Sequence, residues 1–320
     1  MNHRSKPIWV SCFLIIFFVS HSTSCVTANE VEDEREFDYL NNSEKGPRHW
    51  GEIKKEWEEC KNGTLQSPID LTDQRVKKIP KLLQMKKCYK PCNATLKNRG
   101  HDISLQWEEL KAGSIEINGT SYFLKQCHWH SPSEHTINGR RYALEMHMVH
   151  LSPDQNITVI GLLYQLGAAD PFLSKLIKDI RSLSDEKPEI PMGVIDPSDI
   201  KMYGSRYYRY LGSLTTPPCT EGVIWNVNTK IRTVSRGQVK LLREAVHDYA
   251  EENARPVQLQ NSRDVHLYTG QKPVRLENLS ALWVSRLFSS KWIAFNHIFD
   301  EYYITEAVHS IHELEFSSLQ

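Results

Sequence analysis

The chain has 320 residues, 40% of them hydrophobic and 24% charged, which is enough apolar content for one large core. Its 39 basic residues balance 39 acidic ones, so the formal net charge is zero. Without a basic surplus, a nucleic-acid partner is disfavoured.

In chain order, residues 1–28 read as a secretory signal peptide. His3, Arg4 and Lys6 make a basic start, and 8–19 is apolar but too short to span a bilayer. Val26-Thr27-Ala28 supplies small residues for cleavage, with Ser22-Thr23-Ser24 as the alternative. No membrane span is expected once the signal is removed. Residues 29–45 are acidic and polar and read as a flexible lead-in. Secretion permits disulfides, and five cysteines follow the signal: Cys60, Cys88, Cys92, Cys127 and Cys219. Cys88 and Cys92 flank Pro91 and are candidates for a local bridge, whereas Cys127 is expected as a buried thiol. Six Asn-x-Ser/Thr sequons, at Asn41, Asn62, Asn93, Asn118, Asn156 and Asn278, are candidate glycan sites on surface loops.

Between His101 and Trp225, short strand-like runs alternate with Gly, Pro and Asn. Residues 173–183 and 236–252 carry a helical apolar period, and Ser235 is a good N-cap for the second. The expectation is a mainly β (α+β) domain with peripheral helices. Residues 273–320 form a C-terminal tail of undetermined role. Its Leu282, Trp283, Leu287, Phe288, Trp292, Ile293 and Phe295 are interrupted by charged residues, which argues against a transmembrane anchor.

The chemistry concentrates in Gln126-Cys127-His128-Trp129-His130 and, after a turn signalled by Asn138-Gly139, in Glu145-Met146-His147. Both segments, 121–130 and 141–150, read as strands. Side chains alternate along a strand, so Gln126, His128 and His130 share one face, as do Glu145, His147 and Val149. Two neighbouring antiparallel strands then bring His128, His130 and His147 to one point. Three imidazoles suit Zn2+ and leave its fourth position open, which points to catalysis rather than structure. Gln126 and Glu145, two residues before their histidines, are placed to accept the outer imidazole N–H groups.

The stretches Gln126-Cys127-His128-Trp129-His130-Ser131-Pro132-Ser133-Glu134-His135, Leu144-Glu145-Met146-His147-Met148-Val149-His150 and Ser213-Leu214-Thr215-Thr216-Pro217-Pro218-Cys219 resemble the alpha-class carbonic anhydrases. The likeness is greatest to the plant secreted branch with nectarin-like and dioscorin-like members. It runs from His49-Trp50-Gly51 to Asn253-Ala254-Arg255-Pro256 and sets the domain at 46–272. The resemblance implies a large, twisted, mostly antiparallel central sheet. It also implies reversible hydration of CO2 to bicarbonate and a proton, by a zinc-bound hydroxide.

Residue roles follow from the same resemblance. Thr215 would orient the nucleophile while donating to an ionised Glu134, and Thr216 would line the substrate side. Val149, Val159, Leu214, Val223 and Trp225 would form an apolar wall for CO2, and His101, in Asn98-Arg99-Gly100-His101-Asp102, would shuttle the proton. Cys60 would pair with Cys219, and Ser67-Pro68 and Pro217-Pro218 would be cis. Sulfonamide-type or anionic inhibitors would bind at the zinc.

In animal relatives a tyrosine follows the first Trp-Gly pair and helps order the site's water. Here Glu52 follows Trp50-Gly51, implying a different proton path. A storage or defence protein on the same fold, as in dioscorin-like members, is the alternative function. The zinc histidines, Glu134 and Thr215 are all retained, which favours the enzyme. The expected location is the secretory pathway and apoplast, with plastid stroma or vacuole as alternatives. Oligomeric state is not legible in the sequence.

Overall fold

The structure, a computed structural model, describes residues 36–80, 85–184, 186–202, 205–246 and 250–269. The signal segment, the start of the lead-in, Asn278 and the tail 273–320 lie outside the described residues.

The strands, in chain order, are β1 (Asp70–Leu71), β2 (Val76–Ile79), β3 (Lys86–Tyr89), β4 (Cys92–Asn98), β5 (Ile103–Trp107), β6 (Gly113–Ile117), β7 (Thr120–His130) and β8 (Thr136–Ile137). They continue with β9 (Arg140–Arg141), β10 (Leu144–Leu151), β11 (Ile157–Leu166), β12 (Glu189–Ile195), β13 (Tyr207–Ser213), β14 (Glu221–Asn228), β15 (Arg232–Val234) and β16 (Val265–Tyr268). Among the described residues four α-helices accompany them: α1 (Trp50–Ile53), α2 (Glu59–Asn62), α3 (Pro171–Ile180) and α4 (Arg236–Glu244).

A 13-stranded sheet runs in the order β12-β4-β5-β7-β10-β11-β14-β13-β16-β2, with β6 on β7, β3 on β6 and β15 on β11. Most neighbours are antiparallel, as expected. The parallel pairs are β11 with β14, β11 with β15 and β16 with β2. β1, β8 and β9 form a small separate sheet.

Alternation along the central strands divides the core. Cys127, Trp129, Met146 and Met148 join Phe172, Leu176 and Leu242 of α3 and α4 in one apolar cluster. Val149, Val159, Trp225 and Val227 join a second. α3 starts at Pro171 because the Asp170 carboxylate caps Leu173 N–H and proline's fixed φ suits the first helical position. α4 starts after Ser235, whose hydroxyl and Gln238 form a reciprocal capping box. It ends at Glu244, well short of the expected 252.

Three residues of the expected flexible lead-in 29–45, Phe37, Asp38 and Tyr39, pack against the chain that follows. Phe37, Asp38 and Tyr39 are buried, and Phe37 and Tyr39 meet the Trp50 ring edge-on at 5.3 and 5.4 Å. The aromatic rings outweigh the acidic composition by which the segment reads as disordered. Cys60 and Cys219 are disulfide-bonded. Cys88 and Cys92 are unbridged, and Cys127 is a buried thiol. Ser67-Pro68, Pro217-Pro218 and, unforeseen, Ser131-Pro132 are cis.

Candidate metal centre

β7 and β10 pair antiparallel with His128 opposite His147 and His130 opposite Glu145. This register brings the three histidines together on one face. All are buried, and one nitrogen from each lies within 4.8 Å of the others. His128 Nε2 and His147 Nδ1 are 3.3 Å apart. Two nitrogens bound tetrahedrally to one zinc at ~2.0–2.1 Å stand about 3.3 Å apart, so the observed separation suits that ion.

The outer nitrogens fix the tautomers. His128 Nδ1–H donates to Gln126 Oε1 at 2.9 Å, and His147 Nε2–H donates to Glu145 Oε1 at 2.9 Å. Gln126 and Glu145 are therefore where the alternation puts them. His130 Nδ1–H donates to the backbone carbonyl of Asn253 at 2.7 Å, a partner that sequence reasoning missed. Each ring thus presents an unprotonated nitrogen inward. His130 Nε2 and Glu134 Oε2 are buried without hydrogen-bond partners, only 3.6 Å apart. A lone pair facing a carboxylate oxygen is repulsive unless a cation sits with them, so the donor set fits a zinc ion.

Glu145 does more than serve His147. Its Oε1 also accepts from His135 Nδ1 at 2.7 Å, and its Oε2 accepts from the backbone N–H groups of Glu134 and His135 at 2.9 and 2.8 Å. Burial opposes the ionised form, yet His135 and His147 hold this carboxyl well below the usual carboxylate range. From His135 the chain of hydrogen bonds continues outward. Tyr210 Oη donates to His135 Nε2 at 2.6 Å, Ser67 Oγ is 2.9 Å from Tyr210 Oη, and Ser213 N–H donates to Ser67 Oγ at 3.0 Å.

The eukaryotic-type carbonic anhydrase family model matches residues 45–269. The chain belongs to that family. Alpha carbonic anhydrase 7 of Arabidopsis thaliana is 55% identical over 261 residues, covering 81% of this chain and 94% of the relative. Carbonic anhydrase Nec1 of Nesocodon mauritianus is 52% identical over 260 residues, covering 80% and 93%. The crystal structure of dioscorin complexed with ascorbate is similar at TM-score 0.72 and 46% identity, covering 74% of this chain and all of that one.

In this carbonic anhydrase the other expected site residues are positioned as follows. Thr215 and Thr216 are buried, and Thr216 Oγ1 has no hydrogen-bond partner. No hydrogen bond joins Thr215 to Glu134 among the described residues. Glu134 Oε1 instead accepts from Arg255 N–H at 2.9 Å, while Oε2 faces the histidines. Val149, Val159, Leu214, Val223 and Trp225 all lie in one buried apolar cluster, and the Trp225 ring is 4.8 Å from that of His147. Cys219 N–H donates to Thr216 O at 2.9 Å, so the disulfide ends directly on the threonine loop.

His101 is buried between the Phe37 ring, 5.2 Å away, and Asp102. Glu52 is half exposed and pairs with His49 and Lys61, so it takes no part in the site. Tyr39 lies in the aromatic cluster with Phe37, its ring 5.9 Å from that of Phe37. Asn41, Asn62, Asn93, Asn118 and Asn156 are all exposed, although Asn93 lies within β4 rather than on a loop and bonds Glu108.

Proposed function

We propose that the chain hydrates CO2 reversibly to bicarbonate and a proton at a zinc held by His128 Nε2, His130 Nε2 and His147 Nδ1. The observation that carries this reading is the convergence of three imidazole nitrogens, each outer nitrogen satisfied by an acceptor. When bound, zinc supplies the Lewis acidity that brings a water's pKa to about 7, a value characteristic of this family.

The protein's own groups do the rest. Glu134 Oε2, with no present partner, is the acceptor for the Thr215 hydroxyl. A Thr215 oxygen so committed can accept only from the nucleophile, which aims the nucleophile's lone pair at carbon. The Thr216 hydroxyl is available to the product's oxygens. Val149, Val159, Leu214, Val223 and Trp225 offer CO2 a surface without competing hydrogen bonds. His101 carries the released proton toward solvent, a task suited to imidazole. Sulfonamide anions would compete at the same metal.

The disulfide Cys60–Cys219 agrees with an oxidising compartment, and we place the chain in the secretory pathway. The five described sequons, all exposed, are open to glycosylation there.

Stopped-flow CO2 hydration with zinc quantified on the same sample tests the reading. Fast hydration with about one zinc per chain is expected, abolished in His147→Ala. Bound zinc without hydration would instead favour a storage or binding role. His101→Ala is expected to slow turnover in weak buffer, with recovery on adding imidazole.

A further inference from the structure

β4 ends at Asn98 and β5 starts at Ile103, so Arg99-Gly100-His101-Asp102 makes the reversal between them. The backbone closes with Arg99 N–H donating to Asp102 O at 2.9 Å. Gly100 takes φ 75°, where a side chain would be strained, and its N–H donates to Asn98 Oδ1 at 2.8 Å. The side chains repeat the closure. Arg99 Nε donates to Asp102 Oδ1 at 2.8 Å and Nη2 donates to Oδ2, a bidentate fork.

A turn closed by its own backbone does not require a buried ion pair, and desolvating two charges is expensive. Asp102 is nevertheless fully buried. Burial alone would push its carboxyl up, but Arg99 first and His101 next hold it well below the usual range. Its Oδ2 lies 3.5 Å from His101 Nε2. Phe37 covers one side of the imidazole, and Asn253 Nδ2 donates to the His101 carbonyl at 2.8 Å. From β7, His128 and His130 lie close enough to feel the Asp102 charge.

We propose that Asp102, clamped by Arg99, is a positioning residue for His101: its Oδ2 holds the imidazole in one orientation and stabilises it when it takes up a proton. This rests on His101 being the proton carrier. The ion pair then has a use that the turn itself does not need. The carboxylate stays ionised and fixed because Arg99 occupies it, so it neither takes the proton itself nor swings away.

The test is an NMR titration of the His101 ring in the zinc-loaded full chain, with its signal identified by loss in His101→Ala. Asp102→Asn is expected to lower the titration midpoint by about one unit, because the imidazolium loses the carboxylate beside it. In weak buffer kcat is expected to fall about fivefold while kcat/KM for CO2 changes far less, since proton return enters only kcat. Added imidazole restores kcat.

An unmoved midpoint in folded Asp102→Asn overturns the proposal. Because that variant leaves Arg99 buried without its counter-charge, the double variant Arg99→Met, Asp102→Asn provides a second measurement. The same downward shift is expected, and an unmoved midpoint again overturns the proposal. A midpoint that moves while His101→Ala keeps full turnover in weak buffer overturns instead the assignment of His101 as carrier, and any catalytic use of Asp102 with it.

Discussion

Replacing Glu145 by glutamine tests how the metal centre is held. Four N–H groups converge on this carboxylate: the backbones of Glu134 and His135 on Oε2, and the rings of His135 and His147 on Oε1. A glutamine has one carbonyl oxygen, which can take two of them. Its NH2 group would then meet the other two donors head-on. At about 1.5–3 kcal/mol for each hydrogen bond to a charged group, two lost bonds amount to about 3–6 kcal/mol. Part of that loss falls on the fold and part on the metal, according to which edge the amide oxygen occupies. If it keeps the backbone donors, His147 loses its orienting partner and zinc affinity is expected to fall about 10–100-fold. If it keeps the rings, the Glu134 loop loosens and the melting temperature drops with a smaller change in zinc affinity. Chelator competition and thermal unfolding of zinc-free protein, run on the same variant, separate the two. Unchanged values in both assays would refute the reasoning.

Gly161 stands opposite His147 on β11, and a Cβ there would lie 3.0 Å from Glu145 Oε1 and 3.3 Å from Val227 Cγ2. Gly161→Ala should therefore weaken zinc binding in chelator competition, and wild-type affinity would show that Glu145 can give way. The bridge between Cys60 and Cys219 spans 159 residues. The chain-entropy relation assigns that loop about 5 kcal/mol, so Cys60→Ala with Cys219→Ala should lower the urea midpoint by roughly 2 M or more. His150 is buried as the neutral ring, donating from Nδ1 to Met148 O and lying 2.8 Å from Tyr89 Oη. Burial lowers its pKa to about 4. The unfolded chain takes up that proton near pH 6.5, so stability is lost as pH falls from about 6.5 to about 4, by up to about 3 kcal/mol. Urea unfolding across that window should show a shallower pH dependence in His150→Leu than in the parent.

The histidine cluster was legible because a two-residue period carries its own geometry. Once 121–130 and 141–150 are strands, the faces of His128, His130, His147, Gln126 and Glu145 follow. The helix starts were legible for a similar reason, since Ser235 and Gln238 are local to the helix they cap. What escaped lies at long sequence separation and uses groups with no side-chain signature. His130 is held by a backbone carbonyl 123 residues away, and Glu134 by the backbone N–H of Arg255. Phe37 and Tyr39 escaped because acidic neighbours dominate the local composition, while the partners that bury them, Trp50 and Trp57, come later in the chain. The central sheet came from family resemblance, because the order of ten strands along its main path is set by pairings that no local pattern encodes.

Two neighbouring central strands supply all three clustered histidines, and this gives the site a ruler. Strands in a ladder stand about 4.8 Å apart, and alternate residues along one strand about 6.8 Å. Those two lengths are properties of the peptide unit and do not depend on side chains elsewhere. The imidazoles therefore inherit their coarse placement from the backbone ladder, and side chains such as Gln126 and Glu145 adjust only rotation and tautomer. A one-residue slip between β7 and β10 would turn the histidines of the slipped strand into the core and abolish the site at once.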